Sequence, residues 1–316
     1  MYVHLRNRIY GIYMFSEDVQ ADLYNASIDF GNRNGSIYRW SFVSSDYTFR
    51  DTWRYYYAAI ANINNFIDNV DNVNASTEKD ANTLKLYKGE AYLLRAFYYF
   101  QLTKKFCKAY DPSTAAGTMG LPLVTKYDIK EKPARSSLEA TYILITDDIK
   151  DAKALLTTAG KLGANQLTMD CITALEARVY LAMHKYAEAA SAADALIAGG
   201  KYPLVNTKNA FKAMWHSDET HETIFQLLTS KPNDLPVTDP NAVNSIFLGY
   251  SSATGKYSPD FIPQQWIVDL YDNADIRREV YLEKKLINIV ATDYTDIYAF
   301  NKYPGNPELF TTNNTN

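Results

Sequence analysis

"LKLYKGEAYLLRAFYYFQLTKKF" runs from Leu84 to Phe106, and between Ala91 and Leu102 its only plainly polar side chains are Arg95 and Gln101. The run is too short, and its ends too polar, to span a bilayer, which takes about 20 apolar residues. A helix that is apolar all round is buried on all sides. The stretch therefore predicts an α-helix with other helices packed on both flanks. Arg95 is carried into that interior and needs partners there, because an unpaired buried charge is very costly.

Helical spacing continues on either side. Residues 1–30 read as helical, with Leu5, Ile9, Ile12 and Tyr13 in phase. A second helix is predicted from Asp51 to Val70, with Trp53, Tyr56, Tyr57, Ile60, Ile63, Asn64 and Ile67 on one broad face. Between them, residues 30–50 form a Gly-, Asn- and Ser-rich loop with aromatic rings embedded in it. After Phe106, a long connection over 109–135 is punctuated by Gly117, Gly120, Pro122 and Pro133. Ser136-x-x-Glu139 reads as a capping box opening a helix that carries Tyr142, Ile145, Ile149 and Leu156.

Residues 167–204 read as two helices, with Thr168 as N-cap, His184-Lys185 as the turn and Gly199-Gly200 as the stop. Tyr180 near the end of one helix, Tyr186 opening the next and small residues at Ala174, Ala177, Ala189 and Ala193 have a tetratricopeptide look. Small residues let two antiparallel helices approach closely, and the rings fill the groove to the next pair. Such a hairpin cannot bury its own faces and calls for neighbours. Beyond Leu204, prolines accumulate, residues 223–228 look strand-like, and 264–282 read as one short helix. The expected fold is mainly α: a tetratricopeptide-like helical-hairpin superhelix over 51–204, packed against a loop-rich region (30–50 and 205–316) with few short strands. All 316 residues are assigned to a single domain. An (α/α) barrel is the competing architecture.

With 47% hydrophobic and 22% charged residues, the chain can build a large core. A net charge of −4 without a Lys/Arg cluster argues against nucleic acid and anionic lipid as partners. Two cysteines, Cys107 and Cys171, make neither a disulfide framework nor a metal site. "HSDETHE" (216–222) gathers His and carboxylates, but its histidines are five apart, not the four that would place them on one helical face. Asp46, Asp147, Asp148, Asp234 and Asp260 are available for a folded acid–base pair, yet no pattern pairs them. There is no Gly-x-Ser-x-Gly elbow and no phosphate-cradling loop. No catalytic residue, metal or cofactor is assigned.

Several segments together resemble the SusD/RagB family of outer-membrane nutrient-binding lipoproteins of Bacteroidetes. They are "WRYYYAAIAN" (53–62), "GEAYLLRAFYYFQL" (89–102), "GLPLV" (120–124), "RSSLE" (135–139), "ALEARVYL" (174–181), "ETIF" (222–225) and Tyr271 with Asp275-Ile276-Arg277. The resemblance implies glycan capture at the cell surface, without catalysis, for import through a SusC-like TonB-dependent transporter. It implies a lipid anchor in the outer membrane. The sequence departs from the family at both ends: the lipoprotein signal, the acylated cysteine and a helix pair after Lys302-Tyr303-Pro304 are missing, as in a truncated chain. A tetratricopeptide-type protein adaptor and a helical glycoside hydrolase are the competing functions.

No ligand-binding residue is carried over from the family. Sugar rings offer flat C–H faces to aromatic rings and hydroxyl edges to planar polar groups. On that chemistry, the 30–50 loop provides Arg33, Asn34, Tyr38, Trp40, Asp46 and Tyr47, and a second region provides Tyr250, Tyr257 and Trp266. Trp40 leads, and in an extended segment Tyr38 would point to the same side.

Overall fold

The computed structural model describes residues 1–5, 12–28, 35–128, 130–217, 219–227, 246–251 and 253–304. In chain order the described helices are α1 (Tyr2–His4), α2 (Ile12–Gln20), α3 (Gly35–Tyr38), α4 (Tyr47–Val70), α5 (Glu78–Phe106) and α6 (Leu138–Leu155). They continue with α7 (Met169–Ala182), α8 (Tyr186–Ala198), α9 (Lys208–His216), α10 (Gln265–Asp269) and α11 (Arg278–Tyr281). The strands are two to four residues long: β1 (Tyr24–Ala26), β2 (Met119–Pro122), β3 (Arg135–Ser137), β4 (Tyr250–Ser251) and β5 (Lys256–Tyr257), then β6 (Phe261–Pro263), β7 (Leu282–Lys284), β8 (Ile287–Ile289), β9 (Thr292–Tyr294) and β10 (Tyr298–Phe300). The protein is mainly helical.

The chain divides into two compact units. The first comprises Met1–His4, Trp53–Pro203 and Glu222–Leu227. Its longest helix is α5, capped by the Thr77 hydroxyl, which accepts the Asp80 N–H at 3.1 Å. Glu78 and Asp80 in the first turn and Lys104 and Lys105 in the last suit the helix dipole. Helix α5 packs along α6, α6 against α7, and α7 along α8. On its other flank, Tyr98 meets Tyr56 of α4 edge-on at 5.8 Å between ring centroids. The apolar character of α5 on all sides is explained by these neighbours.

The expected turn between α7 and α8 is present. His184 takes a left-handed φ of 60°, the His184 N–H donates to the Leu181 carbonyl (3.1 Å), and the Lys185 N–H donates to that of Tyr180 (2.9 Å). This pair of bonds closes a Schellman motif. Thr168 is at the N-cap of α7, but its hydroxyl faces the Cys171 Sγ at 3.4 Å and makes no side-chain cap bond. The α6 cap is Ser137, not Ser136. Ser137 Oγ, at the last residue of β3, accepts the Ala140 N–H at 3.0 Å, one residue after Ser136.

The long connection after α5 runs over the helices with its backbone bound by their side chains. Tyr57 Oη donates to the Pro122 carbonyl (2.9 Å), Asn64 Nδ2 to that of Val124 (2.9 Å) and Tyr99 Oη to the same oxygen (3.0 Å). Within β2, a Cβ on Gly120 would lie 2.3 Å from the Ser137 carbonyl oxygen, so the close β2–β3 approach requires glycine. Of the strand-like 223–228 segment, the described residues 223–227 hold a single parallel bridge, between Phe225 and Ala164.

The second unit holds the described residues of Leu5–Thr52 and Leu204–His221, and those from 246 onward. The first 30 residues are not one helix: α2 ends at Gln20 and the chain turns into β1, which pairs antiparallel with β6. Val19, Ile37, Ile246, Phe247 and Phe261 form its core. A second cluster, Leu248, Ile287 and Ala299, lies under a four-stranded sheet of order β4-β5-β8-β9. The 264–282 stretch is two short helices, α10 and α11, separated by turns in which the Asp272 and Asp275 carboxylates accept backbone N–H groups of Ala274 and Arg277.

Candidate functional site

The aromatic residues assigned to ligand all fall in the second unit. Arg33 and Asn34 lie outside the described residues. Trp40 is 66% exposed, the most solvent-accessible tryptophan among the described residues. Its position comes from the end of α3. Ile37 is buried in the unit's core, and the helix ends one residue past it at Tyr38. The Trp40 N–H donates to the Ile37 carbonyl (3.1 Å) and the Ser41 N–H to that of Ser36 (2.9 Å). This is the same closing motif as after α7, and it places Trp40 at the left-handed position, φ 55°, where glycine is the usual residue.

Tyr38 and Trp40 do not share a side. Residues 35–38 are helical and Trp40 is left-handed, so the alternation of an extended chain does not apply. The Tyr38 ring packs 5.9 Å from Phe261, and its hydroxyl donates to Asn25 Oδ1 at 3.2 Å. Tyr38 is a packing residue. Trp40 instead stands 6.2 Å from the Phe42 ring, and Phe42 lies tilted against Phe49 at 4.5 Å between centroids.

Asp46 has a local structural role. Its Oδ2 accepts the Val43 N–H at 3.3 Å and its carbonyl accepts the Arg50 N–H at 3.0 Å, so it closes a turn and begins α4. For that reason α4 starts at Tyr47, not Asp51, and Tyr47 is an exposed helical residue at its start. Tyr250 and Tyr257 are brought together across β4 and β5, with ring centroids 4.9 Å apart, and Lys285 Nζ lies 4.9 Å above Tyr257. Trp266, on α10, is 46% exposed and makes no ring contact among the described residues.

Two arrangements had no sequence assignment. In the first unit, Arg95 finds Asp148 and Asn64. In the second, Lys302 Nζ is enclosed by rings: Trp215 at 4.0 Å, Tyr281 at 4.9 Å and Tyr303 at 5.4 Å from their centroids. Burial pushes the Lys302 pKa down, and the Asp18 carboxylate opposes it. The only sequence signal for this cage was a lysine beside a tyrosine near a tract of loop. His216, from the "HSDETHE" stretch, is half-buried and donates from Nε2 to the Val280 carbonyl at 3.2 Å. Among the described residues, no three His, Cys, Asp or Glu side chains are grouped to hold a metal ion.

Residues 8–181, more than half of the chain, match the sequence profile of the SusD-like family described as "Starch-binding associating with outer membrane". The chain belongs to the SusD-like family. A curated SusD-like protein of Formosa agariphila is 30% identical over 140 residues, which are 42% of this chain and 24% of that protein. A SusD superfamily protein of Bacteroides thetaiotaomicron superposes with a TM-score of 0.83 at 23% identity, over 96% of this chain and 67% of that one. A surface glycan-binding protein A of Bacteroides fluxus superposes with a TM-score of 0.65 at 20% identity, over 95% of this chain and 66% of that one. This SusD-like chain thus spans about a quarter of its curated relative's length and about two thirds of these solved structures. The likeness to the solved structures fixes the SusD-like fold. No described helix is long and apolar enough to cross a membrane.

Proposed function

We propose that this chain captures glycan at the cell surface, without turnover, for import through a SusC-like TonB-dependent transporter in the outer membrane. The observation that carries the reading is Trp40: a solvent-facing indole on a closed turn in a SusD-like chain. An exposed indole face is a surface on which the C–H face of a sugar ring stacks. Trp266 is a second such face, and Tyr250 with Tyr257 a third ring pair. We assign the whole chain to one SusD-like domain held at the membrane by a lipid anchor on the full-length precursor.

The test is retardation of the purified protein in native gels containing soluble starch, xylan, laminarin, pectin or alginate, followed by calorimetric titration. At least one polysaccharide retards the wild type, and Trp40→Ala loses most of that retardation. Folded protein that ignores the whole panel removes glycan capture. Steady release of reducing ends removes the assignment as a non-enzyme. Failure to co-purify with any TonB-dependent transporter from outer membranes removes the import partner.

A further inference from the structure

Trp40 occupies a costly conformation. A left-handed backbone costs an L-residue roughly 1–2 kcal/mol, and glycine avoids that penalty. The ring gains little burial in return, being 66% exposed. Fold stability alone therefore does not select tryptophan at this position, and the surrounding contacts show what holds the ring.

The segment from Arg39 to Asp46 is closed at both ends. At one end, the bonds from Trp40 and Ser41 seal α3. At the other, Asp46 N–H donates to the Val43 carbonyl at 3.0 Å, and Val43 N–H donates to the Asp46 carboxylate. Between these closures lies Phe42, whose ring is in contact with Trp40 on one side and Phe49 on the other. Phe49 is on the first turn of α4, and it packs against the Val19–Ile37–Phe261 core. Successive rings are inclined by 42° and 42°. A continuous line of side chains thus runs from the core, through Phe49 and Phe42, to the exposed indole.

We propose that Phe49 is a positioning residue, acting through Phe42 to fix the orientation of the Trp40 ring. The proposal deepens the reading of Trp40 as a sugar platform. A ring presented on a turn alone would sample several rotamers, and stacking a sugar on it would cost that freedom. Buttressing through Phe42 removes the cost before ligand arrives.

The test uses the protein labelled with 5-fluorotryptophan, which gives four fluorine resonances from Trp40, Trp53, Trp215 and Trp266. The Trp40 line is identified by its loss in Trp40→Phe. In Phe49→Ala the Trp40 line shifts and narrows as the ring becomes mobile, the other three lines stay, and Phe49→Tyr restores the original position. Phe42→Ala, which leaves Phe49 in the core, gives the same change if Phe49→Ala does not fold. An unmoved Trp40 line in both alanine variants overturns the proposal. Gel retardation by the five panel polysaccharides separates the two readings. A displaced Trp40 line together with undiminished retardation of Trp40→Ala keeps the positioning role and removes Trp40 from the sugar site.

Discussion

Arg95 of α5 and Asp148 of α6 meet through two near-parallel hydrogen bonds, Nε to Oδ2 at 2.8 Å and Nη2 to Oδ1 at 2.7 Å, with side chains only 7% and 2% exposed. Nη1 also donates to Asn64 Oδ1 at 2.8 Å and to the Thr125 carbonyl at 3.2 Å. Burial alone would pull the Arg95 pKa down, but the hydrogen bonds and charge of Asp148 outweigh it and raise it. One guanidinium therefore ties α4, α5, α6 and the connection after α5 together.

Removing one partner leaves the other charged and buried. Arg95→Ala and Asp148→Ala are each expected to cost about 3–5 kcal/mol in urea unfolding. The double variant Arg95→Met/Asp148→Leu costs less than the sum, because no unpaired charge remains. Single-variant losses below about 1 kcal/mol would mean that the pair is solvated like a surface salt bridge.

Trp40→Gly and Trp40→Ala remove the same ring, but only glycine suits φ 55°. Trp40→Gly is expected to be more stable than Trp40→Ala by about 1 kcal/mol in chemical denaturation. Neither change approaches the roughly 3–5 kcal/mol of a core aromatic deletion. A loss of that size in Trp40→Gly would identify Trp40 as a packing residue.

The β8–β9 hairpin turns through Val290 and Ala291, with Ile289 opposite Thr292 and φ values of 47° and 66°. Two left-handed residues make a type I′ turn, which favours Asn-Gly. Val290 is β-branched and 78% exposed, so its side chain does little for packing. Val290→Asn/Ala291→Gly is expected to stabilise by about 1–3 kcal/mol. Calorimetry should show a melting temperature higher by a few degrees; an unchanged or lower value counts against strain in the turn.

Burial of His216 opposes its protonation and holds its pKa below the ordinary histidine value, with the Val280 carbonyl resisting the shift. The unfolded chain therefore takes up that proton first as pH falls. The contribution of His216 to stability is complete above its unfolded pKa and declines as pH drops through about 6.5 towards the folded value. His216→Gln should flatten the fall in denaturation midpoint between about pH 7 and 5. A wild-type slope retained in this variant would assign the acid sensitivity to other groups.

Much of the helical unit was legible because burial leaves a plain mark on sequence. Helix α5 announced its two flanks through an unbroken apolar run, and Arg95 announced partners through the cost of its burial. Its pairing is not legible, because Asn64 and Asp148 lie 31 and 53 residues away, although the phase of Tyr142, Ile145 and Ile149 does put Asp148, not Asp147, on the buried face of its helix. The cap of α6 falls one residue later than the capping-box spacing suggests, because adjacent serines are equal candidates until the Ala140 N–H selects the Ser137 hydroxyl. Around Trp40 the difference is one of parity. A four-residue helix is too short to show a period, so Gly35–Tyr38 reads as loop, and the packing of Tyr38 on Phe261 leaves no mark on the sequence. Asp46 suits a binding role on sequence, and a carboxylate just before a helix is equally suited to closing a turn. The Lys302 cage draws Trp215, Tyr281 and Tyr303 from separate elements, which no spacing rule connects.

The connection after α5 has one more consequence. Its carbonyls at Pro122, Val124 and Thr125 are held by Tyr57, Asn64, Tyr99 and Arg95, and the Tyr127 N–H is held by the Asp68 carboxylate at 2.9 Å. A stretch with little regular secondary structure is thus fastened by side chains from α4 and α5, much as a strand is fastened by its neighbours. A protease cut beside Lys126 should therefore leave both fragments associated through native gel filtration, separating only in denaturant. New chain ends opened there by circular permutation would part the fasteners from what they hold, so this exposed connection is a poor place to open the chain.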